Sequence, residues 1–147
     1  MRRVVVMLLL CACAHAAKEE TVKRESAWSL IDVRDGSANR YHFVAGASGK
    51  VEFEYVPVRP EESSSGTYSG GAPRRETLDA GDVRLAALWS ELQKLEADPS
   101  KQQPERAKGT VAVGWAEAGG AKHDFIVKMG AEARAFVELL KKFGVAQ

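Results

Sequence analysis

Hydrophobic and polar positions along the chain fall into two periods. Between residues 27 and 58 the period is two. Trp28, Leu30, Ile31 and Val33 mark a strand over Ala27 to Val33, and Asp35-Gly36 is a turn signal. Tyr41, Phe43 and Ala45 then alternate with His42 and Val44. After Gly46-Ala47-Ser48-Gly49, Val51, Phe53 and Tyr55 alternate with Glu52 and Glu54. Such alternation predicts antiparallel strands with one face buried and the other wet. Pro57 and Pro60 end the run, because proline cannot donate to a ladder.

The period changes to helical after Arg74 to Leu78, a short strand. Leu85, Leu88, Trp89, Leu92 and Leu95 recur on one stripe from Asp82 to Glu96. Asp79 is placed to cap this helix and Asp82 to add negative charge to its first turn. Pro99 ends it, and Asp98 to Lys108 is a polar connector. Gly109 to Ala116 alternates again, Glu117-Ala118-Gly119-Gly120 is a hairpin loop, and Lys122 to Lys128 returns. A second helix, Ala131 to Phe143, carries Ala133, Phe136, Val137 and Leu140, with Gly144 placed to stop it. The pattern β-β-β-(β)-α-β-β-α predicts the α+β class. The expected architecture is an antiparallel sheet of five or six strands with two amphipathic helices on one face. Trp28, Trp89 and Trp115 fall on core positions.

The first residues have neither period. Met1-Arg2-Arg3 is a basic start and Val4 to Leu10 an unbroken apolar run, as in an export signal. Leu10-Cys11-Ala12-Cys13 resembles the lipobox of bacterial lipoproteins. The resemblance implies cleavage before Cys13, with diacylglycerol on its sulfur and a fatty acyl chain such as palmitate on its amine. Cleavage after Ala14-His15-Ala16, a small-x-small site, is the alternative and yields a soluble periplasmic or secreted form. On the lipobox reading residues 1–12 are signal, 13–25 lipid-bearing Cys and tether, and 26–147 one domain, placed in the cell envelope and at the outer membrane rather than the inner.

Composition narrows the chemistry. The 147 residues carry a formal net charge of +1, and losing Arg2 and Arg3 makes it −1. Nothing here favours nucleic acid or an acidic substrate. Both cysteines, Cys11 and Cys13, lie in or beside the signal, so the domain has no thiol for a disulfide, a metal or a nucleophile. His42 and His123 are too few for a zinc site, which takes three or four ligands. No cofactor or metal is expected. Glu52 and Glu54 share a strand face and read as its wet side. Gly-x-Ser-x-Gly and Walker spacings are absent, so neither a nucleophile elbow nor a nucleotide loop is expected.

The remaining candidate is the stretch Ser63 to Pro73, Ser-Ser-Ser-Gly-Thr-Tyr-Ser-Gly-Gly-Ala-Pro. One rigid aromatic among small polar residues is the composition of an adaptable recognition loop. Tyr68, Ser69, Gly70 and Gly71, with Arg74 and Arg75 beyond them, are the candidate partner-binding residues. Gly70-Gly71 with the two arginines also offers amides and guanidinium to an anion. Thr67-Tyr68-Ser69-Gly70-Gly71, the strand Arg74-Arg75-Glu76-Thr77 and Leu78-Asp79 before a helix are similar to the emfourin-type inhibitors of bacterial metalloproteases. So is the close, with a Gly-Thr-Val strand, a hairpin, His123-Asp124-Phe125-Ile126-Val127 and a final helix. The resemblance covers about Val51 to Phe143 and implies contact through Tyr68, Ser69, Gly70 and Gly71. In that family the glycine pair leads to a bulky residue and a further glycine, whereas Ala72-Pro73 follows here, and the first strand pair is extra.

The expectation is a lipid-anchored, non-enzymatic envelope module that shows this loop to a protein or peptide partner, in a protease-inhibitor-like or immunity-type role. Two alternatives are a small envelope hydrolase using Ser and His, and a structural lipoprotein with no specific activity.

Overall fold

The computed structural model describes residues 26–63, 65, 66, 68 and 70–144. The signal, Cys13, the tether and Ser69 therefore lie outside the described residues. Among the described residues lie six strands, β1 (Trp28–Arg34), β2 (Arg40–Ala45), β3 (Lys50–Val56), β4 (Arg74–Asp79), β5 (Val111–Glu117) and β6 (Lys122–Val127). Helix α1 is Val83–Ala97 and helix α2 is Ala131–Gly144. The α+β expectation holds, with six strands in one sheet.

Strand order is β4-β3-β2-β1-β5-β6, and every neighbouring pair is antiparallel. The first four strands form a meander. β5 joins β1 and not β4, so the segment from β4 to β5, with α1 in it, spans from one edge of the sheet to the other side of β1.

Register turns the alternation into rows across the covered face. One row is Phe125, Val113, Val33, Tyr41, Tyr55 and Arg74; the next is His123, Trp115, Ile31, Phe43, Phe53 and Glu76. The middle of each row is apolar and buried; on the edge strands the rows end on Arg74 and Glu76 in β4 and on Phe125 and His123 in β6. Helix α1 meets two of the polar ends, Glu76 and His123. Arg84 of α1 pairs with Glu76 at 3.2 Å, and Glu96 of α1 meets both Trp115 Nε1 (3.1 Å) and His123 Nδ1 (2.9 Å). Polar edges also discourage pairing with another chain's strand.

Over the rows lie Leu85, Leu88, Leu92 and Leu95 of α1 and Ala133, Phe136, Leu140 and Phe143 of α2, all buried. Each fully buried leucine or phenylalanine side chain contributes roughly 1.5–3 kcal/mol. Phe143 closes an aromatic cluster with Phe43 (5.1 Å) and Phe53 (5.6 Å). The cap of α1 is Asp82, which accepts from Arg84 N at 2.8 Å, and not Asp79. Asp79 is still in β4, and its carbonyl accepts from Asp82 N in a turn before the helix.

Among the described residues, no α-helix lies on the opposite face of the sheet. Polar pairs lie on it: Arg40 clasps Asp32 (2.8 and 2.7 Å), Arg75 holds Glu54 (2.6 Å), and Thr77 donates to Glu52 (3.0 Å). Glu52 and Glu54 are thus the wet side of β3, as their alternation predicts.

Candidate functional site

Strand direction divides the connections between two ends of the sheet. At one end lie Ala27, whose carbonyl accepts from Ala118 N, the turn between β2 and β3, and the turn between β5 and β6. At the other lie the β1–β2 turn, the long β3–β4 connection, the entry to β5 and the exit of β6.

That second end contains Asp35, Asn39 and Thr110, the buried polar residues among those described. Burying polar groups is unfavourable unless each finds a partner, and these do. Asp35 Oδ1 accepts from Ser37 N (2.8 Å) and Asn39 N (3.0 Å), which winds the turn around its carboxylate. Asn39 Nδ2 donates to Asp35 Oδ2 (2.9 Å) and to Tyr68 Oη (3.2 Å), while Asn39 Oδ1 accepts from Val58 N (3.0 Å). One amide therefore ties the β1–β2 turn to both limbs of the β3–β4 connection. Thr110 closes its own turn, accepting from Ala107 N and donating to Ala107 O.

The loop singled out by composition is stapled to its base. Gly70 N donates to Val58 O (3.2 Å), and Gly70 O accepts from Tyr55 Oη (2.6 Å). A side chain at position 70 would clash with Asn39 Oδ1 and come within 2.8 Å of Pro57 Cβ and Tyr55 Oη, so glycine is required by close approach. Tyr55 stacks at a tilt on Tyr41 (5.0 Å between centroids), and Tyr41 Oη makes a long 3.5 Å contact with Asp35 Oδ2. Burial, with Asp35 and Tyr68 nearby, pushes the Tyr55 phenol up to about 12. Tyr41 is raised further, by deeper burial and then by Asp35. Both phenols stay protonated through neutral pH and donate.

These groups wall a cleft of about 760 Å³ between the loop and α2. Its lining includes Tyr41, Tyr55, Tyr68, Val111, Ala133 and Val137. Its rim holds Met129, Lys108, Arg134 and the Lys141–Glu138 ion pair (2.6 Å). Gly109, with φ near +79°, lets its turn sit against Gly36, where a Cβ would meet Gly109 Cα at 2.8 Å. The size and the mix of apolar wall with few polar groups are those of a ligand pocket.

The sequence-derived candidates separate on this frame. Tyr68 and Gly70 line the cleft. Gly71 has φ +92° and is exposed. Arg74 and Arg75 are neighbours on β4 and so face opposite sides of the sheet. Arg74 pairs with Glu76 (3.1 Å), and Arg75 pairs with Glu54 on the uncovered face. Gly70 N is engaged by Val58 O, so the glycine pair and two arginines do not converge on one point. Neither histidine lines the cleft. His42 lies on the uncovered face, its Nδ1 3.8 Å from Asp32, and His123 lies between Glu96 (2.9 Å) and Glu117 (3.2 Å). Among the described residues, no group of three or more His, Cys, Asp or Glu is arranged to hold a metal ion.

Asp35, Asn39, Lys108, Met129 and Arg134 are not singled out by sequence reasoning. One signal was legible: Asp35 and Asn39, four apart around a glycine, fit a side-chain-wound turn. Nothing in the sequence places Lys108 or Arg134 beside it. The chain matches no protein-family model and has no significant match among curated proteins.

Proposed function

We propose that the chain is an exported envelope protein, lipid-anchored through Cys13, that binds a protein or peptide partner at the cleft beneath Tyr68 and performs no catalysis. The observation that carries the reading is the position of the two ends. The chain enters the domain at Ala27, beside Ala118. The cleft lies at the other end of β1, roughly 20 Å away by strand rise. A tether reaching a membrane from the first end would hold the cleft facing away from the lipid. Support also comes from exposure: Tyr68 and Met129, 43% and 68% exposed, are large apolar residues at the mouth, and aromatic and methionine side chains are enriched at interface centres.

The test is a photo-crosslinker (p-benzoylphenylalanine) placed at Tyr68, and separately at Ala118, in the full chain expressed in its own bacterium. A discrete adduct is expected from position 68 and none from 118. It should persist in His42→Ala and His123→Ala, which a Ser/His hydrolase would need. Cys13→Ser is expected to move the protein from the membrane to the soluble fraction. Equal adducts from both positions, or none from 68, refute the binding reading; unchanged fractionation refutes the anchor.

A further inference from the structure

The rim of the cleft carries charge that the fold does not use. Asp35 is 4% exposed and its carboxylate is occupied by backbone amides and Asn39. Glu138 and Lys141 neutralise each other. Lys108 and Arg134 remain. Both are exposed and line the cleft, and neither side chain has an ion-pair or hydrogen-bond partner among the described residues. Elsewhere on the sheet and helices Arg40, Lys50, Arg75, Arg84 and Lys101 are each paired with a carboxylate.

The wall between these two cations is apolar. Met129 projects over Gly109, where a Cβ would fall 2.7 Å from its sulfur. Tyr68 stands on the loop side and is held from behind by Asn39. A rigid phenol, a pliable thioether and two unpaired cations around one cleft form a complementary surface for an apolar side chain flanked by carboxylate. We propose that the partner enters as an acidic peptide segment, with a bulky apolar residue seated between Tyr68 and Met129 and its neighbouring carboxylates on Lys108 and Arg134. This rests on the binding reading above and names the chemistry of its ligand. The overall net charge near zero makes the selectivity local, a matter of these two side chains and not of the protein's whole field.

The probe is a phage-displayed library of random heptapeptides panned on the full-length chain in parallel with Lys108→Gln/Arg134→Gln and Lys108→Glu/Arg134→Glu. Both positions are exposed, so the variants should fold, which thermal melting checks. Enriched peptides on the parent chain should pair Asp or Glu with Leu, Met, Phe or Trp. A synthetic enriched peptide, followed by fluorescence anisotropy, should bind the double glutamine variant about tenfold more weakly and lose affinity with added salt. The double glutamate variant should turn the enrichment toward Lys and Arg. Failure to enrich, neutral or basic peptides on the parent chain, or identical enrichment on all three proteins overturns the proposal. If position 68 crosslinks a partner while the enriched peptides lack acidic residues, the ligand class fails and the binding reading stands. If neither experiment gives a product, both fail.

Discussion

The two ends of the sheet are built differently. The end where the chain enters closes with short turns, and its contacts include exposed ion pairs such as Lys50 with Asp79. The far end holds the buried polar residues, a tilted tyrosine pair and the long β3–β4 connection. A two-strand turn needs only a residue or two of special conformation. Holding a long connection against a helix needs a polar hub with every partner satisfied, because a half-satisfied hub is worse than an apolar one. Asn39 is that hub. The investment is local to the cleft, which is why this end and not the other is the functional candidate.

Removing the hub should break the contrast most. Asn39→Ala strands Val58 N without its acceptor, takes a donor from Asp35 Oδ2 and releases Tyr68 Oη. Each buried group left unpaired costs about 1–3 kcal/mol, so a loss of about 3 kcal/mol in urea unfolding is expected. A loss below about 1 kcal/mol would mean that the network is incidental to the fold of this end.

The same substitution at opposite ends gives a sharper test. Gly70→Ala places a methyl group against Asn39, Pro57 and Tyr55, and overpacking of this kind costs about 1–3 kcal/mol. At Gly119, in the turn between β5 and β6, a Cβ meets nothing within 4 Å, so Gly119→Ala should stay within about 0.5 kcal/mol of the parent. Equal effects would erase the distinction between a packed end and a plain one.

This asymmetry also explains what was readable in the chain. Tyr41, Phe43 and Ala45 against Val51, Phe53 and Tyr55 declare their face by alternation alone, and the leucine stripe of α1 declares its own. Those signals are local, so strands, helices and fold class followed from them. The cleft depends on β5 lying beside β1, which brings Lys108 and Gly109 to Asp35. No local pattern encodes that choice of neighbour. Composition did point to Tyr68, but its anchor Asn39 is 29 residues earlier. Arg74 and Arg75 looked like one basic pair because they adjoin in sequence. The period of two separates them, and each has a carboxylate of its own to meet.

The smallest effect comes from a single oxygen and depends on pH. Tyr55→Phe keeps the ring against Tyr41 and removes the hydrogen bond to Gly70 O, which is worth about 1 kcal/mol at neutral pH. The folded phenol ionises at about 12, against roughly 10 in the unfolded chain. A group whose folded value is raised favours the folded state fully below the unfolded value. That contribution declines as pH rises from about 10 toward 12, because unfolding then releases a proton. The parent should therefore be the more stable at pH 8, lose that advantage within this window and fall below the variant toward pH 12, because a shift of about two units is worth about 2.7 kcal/mol. Between the two values its unfolding should release about one proton more than the variant's. Tyr41, raised further by the same burial, leaves a residual alkaline slope in both proteins. A difference that stays constant from pH 8 to pH 12 would show that the Tyr55 hydroxyl is not buried beside Asp35 and Tyr68, and this end would lose one of the features that set it apart from the other.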